Sequence, residues 1–362
     1  MASSLEETAQ LLVARGKGLL ATDESTPTLC RRLEKALPGV AVTEEVRRRY
    51  RDIFYTTDLS QAISGVIMYK EALTQRSSGG KLFLQCLNEH GILPGIKVDE
   101  GLSPLPGSAA GESFTKGLDT LHSRCQEYVA MGARFGKWRS ALKIHDGCPS
   151  ERAIIRNAVD LARYAETCQV NSMVPIVEPE ILIDGDYSLA RGSEIAEQVL
   201  KCTIDQLHRH QVLLEGCLIK PQMVIPGADC PMRPTSEEIA AATVRVMKRC
   251  VPAAIPGIMF LSGGQTEVEA TTNLNAINLH AAASGGAPWR LSFSFGRALQ
   301  ASVLKTWEND DGNAEKAQQI ALAVARANGL AAKGEFVGPH PVSKLQSGTL
   351  DLRESFRGWH PA

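Results

Sequence analysis

Apolar runs recur along the chain at intervals of about 30 to 45 residues. Each run is short and rich in aliphatic or aromatic residues, as expected for strands that are buried on both faces. The pattern predicts eight strands, at residues 18–24, 64–70, 93–100, 133–144, 173–181, 215–224, 256–264 and 289–297.

The segments between these runs have the periodicity of amphipathic helices. In residues 193–210 five aliphatic positions fall on one helical face: Ile195, Val199, Leu200, Ile204 and Leu207. The next helical segment begins with a capping box formed by Thr235 and Glu238. Strands that alternate with helices predict parallel β-α units. Eight such units without a linker-like break favour an α/β fold with one closed (β/α)8 TIM barrel over a doubly wound sheet.

The domain organisation follows from where the periodicity stops. Residues 101–113 are rich in Pro, Gly and Ser but are too few for a domain linker, so we expect a loop after the third strand. After residue 333 the periodicity is lost. We therefore predict a single barrel domain over residues 1–333 and a C-terminal tail over residues 334–362, mobile and near the mouth of the barrel.

Composition and charge exclude several classes of function. The chain has 362 residues, of which 44% are hydrophobic and 22% charged, enough to bury a large core. Its formal net charge of -1 offers no electrostatic footprint for nucleic acid or for an acidic membrane surface. No apolar run approaches the roughly 20 residues that a membrane span needs, so we expect no membrane insertion.

Cysteine usage and the first residues indicate the cellular compartment. The nine cysteines are scattered and form no C-x-x-C pair, as expected for a reducing compartment. The sequence "MASSLEETAQ" has acidic residues where a signal or transit peptide would be basic. We expect a cytoplasmic protein, although an organellar protein whose transit peptide had been removed would have the same sequence.

Ionisable residues interrupt five of the predicted strands. In a barrel, chemistry takes place at the carboxyl ends of the strands, and residues spaced i, i+2 point to the same strand face. Taken singly, each is as readily a surface charge at a strand end or an ion pair within the barrel. Together they predict a polar site: Asp23, Lys97 and Asp99, Lys137 and Arg139, Glu178 and Glu180, and Lys220.

Lys220 is the best candidate nucleophile, because it lies inside the apolar run "GCLIKPQMV". Burial and a neighbouring cation such as Lys137 both favour the neutral form of a lysine, and the neutral amine is what attacks a carbonyl. Glu178 is then a candidate for proton transfer to a carbinolamine, and Asp23 is a candidate base at another substrate oxygen. Two carboxylates also occur in glycoside hydrolases, but that alternative gives the lysines no function.

Phosphate binding is predicted where the seventh and eighth strands end. Ser262, Gly263 and Gly264 follow the seventh strand, and Gly296 and Arg297 follow the eighth. Barrel enzymes frequently bind phosphate between these two loops, with backbone N–H groups at a helix start, although a Ser-Gly-Gly alone is commonly a simple turn. Basic residues elsewhere would hold a second phosphate, namely Arg31, Arg32, Lys97 and Arg139. A sugar with a phosphate at both ends fits this pattern.

Together the motifs resemble those of class I fructose-bisphosphate aldolases, the Schiff-base type. They occur in order from about residue 5 to about residue 333: "GKGLLATDEST", "GIKVDEG", "KWRSALKI", "VPIVEPEIL", "LEGCLIKPQMV", "FLSGGQTEVEATTNLNAIN" and "SFGRALQAS". The resemblance implies a (β/α)8 barrel that reversibly cleaves fructose 1,6-bisphosphate to dihydroxyacetone phosphate and glyceraldehyde 3-phosphate. It implies no cofactor and no metal, and a homotetramer.

The resemblance also implies roles for particular residues. Lys220 would be the Schiff-base lysine, Glu178 the acid/base of carbinolamine formation and dehydration, and Asp23 the group that handles the proton of the C4 hydroxyl. Lys137 would support charge balance and proton transfer, and Glu180 is the fifth candidate catalytic residue. The implied phosphate contacts are Ser262, Gly263, Gly264, Gly296 and Arg297 at one end and Ser25, Thr28, Lys97, Arg139 and the nearby Arg32 at the other.

Two departures from the family pattern are visible. Vertebrate-type members end in a tyrosine that assists proton exchange at the enamine, whereas this chain ends in "RGWHPA" and its last tyrosine is Tyr187. Either the tail works differently here or another acid protonates the enamine; His360 is chemically able to do so. The first-strand loop has Pro27 and Thr28 where glycine and serine are common, so a hydroxyl is retained.

Other functions that use a lysine or bind sugar phosphates would show different features. A zinc-dependent aldolase would need clustered histidines, which the eight here do not form in sequence. Pyridoxal phosphate also forms a Schiff base with lysine, and its absorbance would distinguish it. A Schiff-base aldolase for other sugar phosphates would differ in relative turnover. A binding role toward cytoskeletal partners such as actin would be secondary to the sugar phosphate substrates.

Overall fold

Eight parallel strands close into a barrel in a computed structural model that describes residues 2–345. The barrel strands are β1 (Gly18–Ala21), β2 (Ile63–Met68), β3 (Leu93–Lys97), β6 (Phe135–Leu142), β7 (Val174–Ile181), β8 (Leu218–Ile219), β9 (Gly257–Phe260) and β10 (Arg290–Phe295). Their order around the barrel is β1-β10-β9-β8-β7-β6-β3-β2. Every predicted strand is present, and the (β/α)8 fold is confirmed.

Eleven α-helices are found among the described residues. They are α1 (Ala2–Leu12), α2 (Thr26–Ala36), α3 (Glu44–Tyr55), α4 (Phe83–Glu89), α5 (Leu121–Met131), α6 (Glu151–Val170), α7 (Leu189–Arg209), α8 (Ser236–Cys250), α9 (Glu267–Ala283), α10 (Arg297–Trp307) and α11 (Ala314–Ala331). The predicted capping box begins α8: Thr235 Oγ1 accepts from Glu238 N at 3.3 Å, and Glu238 Oε2 accepts from Thr235 N at 2.7 Å. None of the helices described is long and apolar enough to cross a membrane.

Helix α1 packs against the interior of the barrel at its amino-terminal end. Its residues Leu5, Ala9 and Leu12 belong to the same buried cluster as the strand residues Phe135 and Met259. Phe135 fills the interior so closely that a Cβ on Gly95 would lie 2.2 Å from its ring. This end is therefore packed with apolar side chains, and polar groups are left to the carboxyl end.

The segment predicted as a loop after the third strand contains regular structure. Strands β4 (Leu102–Pro104) and β5 (Ser113–Thr115) pair as a short antiparallel sheet. The turn between them includes Gly107 and Gly111, both with positive φ. Three-residue strands carry too little alternation to be recognised in a segment rich in Pro, Gly and Ser.

The first part of the predicted tail lies against α9. Phe336 N donates to Asn275 Oδ1 at 3.0 Å, and His340 Nε2 lies 3.2 Å from Thr271 Oγ1. Residues 346–362 lie outside the described residues, and with them the greater part of the predicted tail and His360.

Candidate functional site

A cleft of about 1090 Å³ opens at the carboxyl ends of the barrel strands. All fifteen residues predicted for the site line this cleft: Asp23, Ser25, Thr28, Arg32, Lys97, Lys137, Arg139, Glu178, Glu180, Lys220, Ser262, Gly263, Gly264, Gly296 and Arg297. They come from seven of the eight strands or from the segments that follow them. The sequence-based expectation that these positions converge is thus met by the geometry.

The centre of the cleft holds two lysines and two carboxylates in contact. Lys137 Nζ lies 2.6 Å from Asp23 Oδ2 and 3.2 Å from Glu178 Oε2. Lys220 Nζ lies 3.1 Å from Glu178 Oε1. All four residues are buried, so these contacts operate with little screening by solvent. The four side chains form one chain of charges, here called the central cluster: Asp23, Lys137, Glu178 and Lys220.

Strand register brings the central cluster together. Arg139 on β6 pairs with Glu178 on β7, so Lys137 and Glu178 lie on neighbouring strands two residues apart in register. Lys220 follows β8 directly, and its N–H donates to Val177 O at 2.8 Å, which extends the parallel ladder by one residue. The lysine within the apolar run is therefore at the carboxyl end of its strand, where its side chain reaches the cleft.

The charges of the central cluster alter the ionisation of its members. Burial alone would raise the pKa of Asp23, but Lys137 and Lys220 outweigh it and lower that pKa below its ordinary value. Burial opposes the charge on Lys137, yet Asp23 and Glu178 outweigh it and raise the pKa of the Lys137 ammonium. Asp23 is thus ionised and Lys137 protonated at neutral pH. The cation expected beside Lys220 is present, and carboxylates hold it in place.

Two further ion pairs flank the central cluster. Arg139 donates from Nε to Glu180 Oε2, and Lys97 donates from Nζ to Asp99 Oδ1. Burial would raise the pKa of Asp99, but Lys97 and Lys137 outweigh it and lower that pKa. The four charged side chains of these two ion pairs are therefore held in place on the β3 and β6 side of the cleft.

The loops after β9 and β10 form the opposite wall. Gly263 and Gly264 have φ of +52° and +78°, a left-handed turn that favours glycine. The turn leads into α9, which is capped by Thr266, whose Oγ1 accepts from Glu269 N at 3.0 Å. Gly296 precedes α10, and Arg297 is its first residue. The turn that leads into α9 and the start of α10 thus line the cleft from adjacent strands, an arrangement that suits an anion.

The loop after β1 accommodates the departure from the family pattern. Pro27 lies in the first turn of α2, where a missing N–H and a fixed φ are tolerated. Thr28 Oγ1 lies 2.9 Å from Ser25 Oγ, so both hydroxyls face the cleft together. Replacement of the common glycine by proline therefore leaves a hydroxyl pair in place.

Glu24 and Ser294 are among the residues of the cleft that were not singled out from the sequence. Glu24 pairs with Arg32, its Oε2 lying 2.5 Å from Arg32 Nη2. Ser294 on β10 is buried, and its Oγ has no hydrogen-bond partner in the described part of the chain. The signal for Glu24 was present in "TDEST", where it follows Asp23 directly. Ser294 gave no signal beyond its place near a strand end.

Among residues 2–345, no group of three or more His, Cys, Asp or Glu side chains is arranged to hold a metal ion. What the cleft does contain is a lysine in contact with a glutamate, a carboxylate held ionised by a second lysine, and arginine or lysine side chains in both walls. These groups define a class of barrel enzyme that acts on a phosphorylated carbonyl compound through a lysine.

Comparison with known proteins identifies the family. A family model described as "Glycolytic: Fructose-bisphosphate aldolase class-I" matches residues 4–352. The fructose-bisphosphate aldolase of Dictyostelium discoideum is 48% identical over 341 residues, covering 93% of this chain and 94% of that protein. Fructose-bisphosphate aldolase B of Homo sapiens is 49% identical over 335 residues, covering 92% and 90%. The chain belongs to the class I fructose-bisphosphate aldolase family.

A solved structure has the same fold. The fructose-bisphosphate aldolase of Plasmodium falciparum, in complex with TRAP and a small-molecule inhibitor, superimposes with a TM-score of 0.90 at 46% identity. The match covers 93% of this chain and 96% of that one. The resemblance seen in the motifs is confirmed, and so is the predicted enzyme, a class I fructose-bisphosphate aldolase.

Proposed function

We propose that the central cluster cleaves fructose 1,6-bisphosphate with Lys220 as the imine-forming residue. The observation that carries this assignment is the continuous chain of contacts from Lys220 through Glu178 and Lys137 to Asp23, at 3.1, 3.2 and 2.6 Å. These contacts support the proposal, because an amine, a proton-transfer group and an ionised carboxylate would then be within reach of one bound ketose.

Imine formation uses Lys220 and Glu178. The lone pair of the neutral Lys220 amine forms a C–N bond to C2 of the ketose, and the carbonyl electron pair goes to oxygen. Nitrogen then loses a proton and oxygen gains one, which gives the carbinolamine. Glu178 donates the proton with which the carbinolamine hydroxyl leaves as water. The product is a protonated imine, and the contact between Glu178 and Lys220 supports this role.

Carbon–carbon cleavage uses Asp23. Its carboxylate takes the proton of the C4 hydroxyl, C4 becomes the aldehyde carbon, and the C3–C4 electron pair moves toward the imine to give an enamine. The low pKa of Asp23, which Lys137 and Lys220 maintain against burial, keeps it ionised before this step. Lys137 stabilises the charge on both carboxylates while the proton moves.

The remaining half-reaction releases the ketose phosphate. The enamine takes a proton at C3, and water then adds to C2 of the resulting imine. Collapse of that carbinolamine breaks the C2–N bond and returns the neutral amine to Lys220. Overall one carbon–carbon bond is broken, and the water released on imine formation is consumed on hydrolysis.

The two cationic walls hold the two phosphates. Ser262, Gly263, Gly264, Gly296 and Arg297 bind one, at the starts of α9 and α10. Ser25, Thr28, Lys97, Arg139 and Arg32 bind the other. Glu180 fixes the Arg139 guanidinium through their ion pair. The span between the walls, with Lys220 between them, fits a sugar phosphorylated at both ends.

Broader features of the protein belong to the same proposal. Residues 1–333 form the catalytic barrel, and a tail follows from residue 334 to residue 362, of which residues 346–362 lie outside the described part of the chain. The enzyme is cytoplasmic and assembles as a homotetramer, for which the support is membership of the family; light scattering on the purified protein tests the assembly. Actin binding is a secondary role, tested by co-sedimentation with and without fructose 1,6-bisphosphate.

The test of the chemistry is covalent trapping. The enzyme is mixed with fructose 1,6-bisphosphate in EDTA, reduced with borohydride, digested and analysed by mass spectrometry. We expect an adduct on Lys220, and neither adduct nor cleavage with Lys220→Met. Lys201→Met is the matched control, because Lys201 lies on the surface of α7 and pairs with Glu197. An adduct on another lysine, or cleavage without any adduct, would contradict the assignment.

A further inference from the structure

The guanidinium of Arg32 is almost fully occupied by partners within the protein. Its Nε donates to both oxygens of Glu24, at 3.0 and 2.8 Å, and its Nη2 donates to Glu24 Oε2 at 2.5 Å. Nη2 also donates to Gln300 Oε1 at 3.1 Å, and Nη1 donates to the Tyr50 hydroxyl at 3.2 Å. Arginine has five N–H donors. Counting partners among the described residues, one Nη1–H is left for a ligand.

Glu24 also faces the arginine of the other wall. Its Oε1 lies 3.9 Å from Nε of Arg297, the first residue of α10. Gln300, which accepts from Arg32, is on the same helix. One carboxylate therefore lies between two guanidiniums that the proposed function assigns to substrate phosphate. Burial lowers the pKa of Arg297 and Glu24 opposes that effect, as expected for a counter-ion.

Resting on that proposed function, we propose that Glu24 is an internal counter-ion that competes with the substrate's two phosphates, with one for Arg32 and with the other for Arg297. The side-on contact uses the Nε and Nη2 edge with which an arginine binds phosphate in bidentate geometry. A phosphate can take that edge only when Glu24 leaves it. Binding is an exchange of one anion for another on the same guanidinium.

This exchange acts on specificity. A free anion such as inorganic phosphate must displace Glu24 with its own binding energy alone. A phosphate that is part of the substrate is held close by the rest of the molecule, so its effective concentration is high and displacement is easier. Glu24 thereby selects against free anions in favour of sugar phosphates.

The test is the affinity for inorganic phosphate of Glu24→Gln, which keeps the shape of the side chain and removes its charge. Phosphate binding is measured as competitive inhibition of cleavage and directly by titration calorimetry. Because a hydrogen bond between charged groups contributes about a tenfold step in affinity or more, we expect phosphate to bind about tenfold more tightly. The KM for fructose 1,6-bisphosphate should also fall, by up to the same factor, because the tethered phosphate must displace the same carboxylate.

If Glu24 instead holds Arg32 in position for phosphate, its substitution changes the phosphate affinity in the opposite direction. If Glu24 merely positions Arg32 for phosphate, both Glu24→Gln and the shorter Glu24→Asp weaken phosphate binding, and unchanged or weaker binding overturns the proposal. Glu24→Asp carries the test should the glutamine variant not fold, with tighter binding expected. Glu100→Gln is the matched control, because Glu100 lines the same cleft but pairs with Arg124 at 3.8 Å. Phosphate binding that is tightened equally by Glu100→Gln would also overturn the proposal.

Failure of this inference is distinguishable from failure of the proposed function. Borohydride trapping on Lys220 of the wild-type enzyme reports the imine chemistry and does not depend on Glu24. An adduct on Lys220 together with unchanged phosphate affinity in the Glu24 variants rejects the exchange and retains the mechanism. Absence of the adduct rejects the mechanism, and with it the assignment on which the exchange depends.

Discussion

The substitution Lys137→Met removes the cation of the central cluster while nearly preserving side-chain volume. Lys137 Nζ lies 2.6 Å from Asp23 and 3.2 Å from Glu178, and the residue is 3% exposed. The variant retains two buried carboxylates with Lys220 as their remaining lysine in the cluster. We expect lower stability, a lower kcat and an acid limb of the kcat profile that moves to higher pH.

The size of the effects follows from burial. Removing one partner of a buried ion pair leaves an uncompensated charge and costs about 3 to 5 kcal/mol of unfolding free energy. Proton transfer by a positioned group contributes about 10²- to 10⁴-fold to rate, so kcat should fall within that range. The pKa of Asp23 should rise in the variant, because Lys137 is the strongest of the charges that lower it.

The sign of the pH effect can be worked out for Asp23. In the wild type its pKa is lowered on folding, so its contribution to stability is present above the unfolded pKa and is lost as pH falls through the folded pKa. Without Lys137, the pKa of Asp23 rises from its wild-type value, while Lys220 and Lys97 still oppose the effect of burial. The same loss of stability and of activity then occurs at a higher pH.

The assay is kcat as a function of pH, together with urea unfolding at several pH values. Lys97→Met is the matched control, since it removes a cation from the same cleft whose nearest carboxylate is Asp99. The control should raise KM and leave the acid limb nearly unchanged. An acid limb that does not move in Lys137→Met, or that moves equally in Lys97→Met, would refute the reasoning.

Three further predictions concern stability. Burial raises the pKa of Glu267 to about 7, so unfolding free energy should fall by about 3 kcal/mol as pH rises from the unfolded pKa to 7, and Glu267→Gln should abolish this dependence in urea unfolding. Gly95→Ala should lower the unfolding free energy by about 1 to 3 kcal/mol or more through its clash with Phe135. Gly79→Ala should be neutral in the same assay, because the added Cβ would make only an ordinary contact with Ser77 Oγ at 3.7 Å. Thr235→Ala should cost about 1 kcal/mol by removing the cap of α8, measured by thermal unfolding.

Much of the fold could be predicted from the sequence because barrel strands are buried on both sides. Strand β7 is buried at all eight positions and has a nearly continuous apolar run. Strand β8 has two residues, Leu218 and Ile219, yet the surrounding run is extended: Gln222 forms a further bridge to Leu261. The pair β4 and β5 was missed because three-residue strands carry too little alternation, and the contacts of Ser113 and Thr115 with carbonyl oxygens of β6 are long-range.

The composition of the site could also be predicted, because charged residues in otherwise apolar strands of a barrel belong at its carboxyl end. The ion-pair partner of each charged residue could not be predicted. Lys137 contacts both Asp23 and Glu178 as a result of strand register and closure of the barrel, two long-range features. Glu24 was missed for the same reason: its significance comes from Arg32 and Arg297, the second of which is 273 positions away in the sequence.

The pattern of contacts also explains why Lys220, and not Lys137, serves as the nucleophile in the proposed mechanism. Burial disfavours a charge on Lys137, but Asp23, Glu178 and Asp99 outweigh it and raise its pKa, so this amine stays protonated and cannot attack a carbonyl. Lys220 contacts one carboxylate of the cluster, Glu178, which is also the group suited to transfer its proton. The unequal division of two carboxylates between two lysines separates their roles, one as a permanent cation and the other as the amine that reacts.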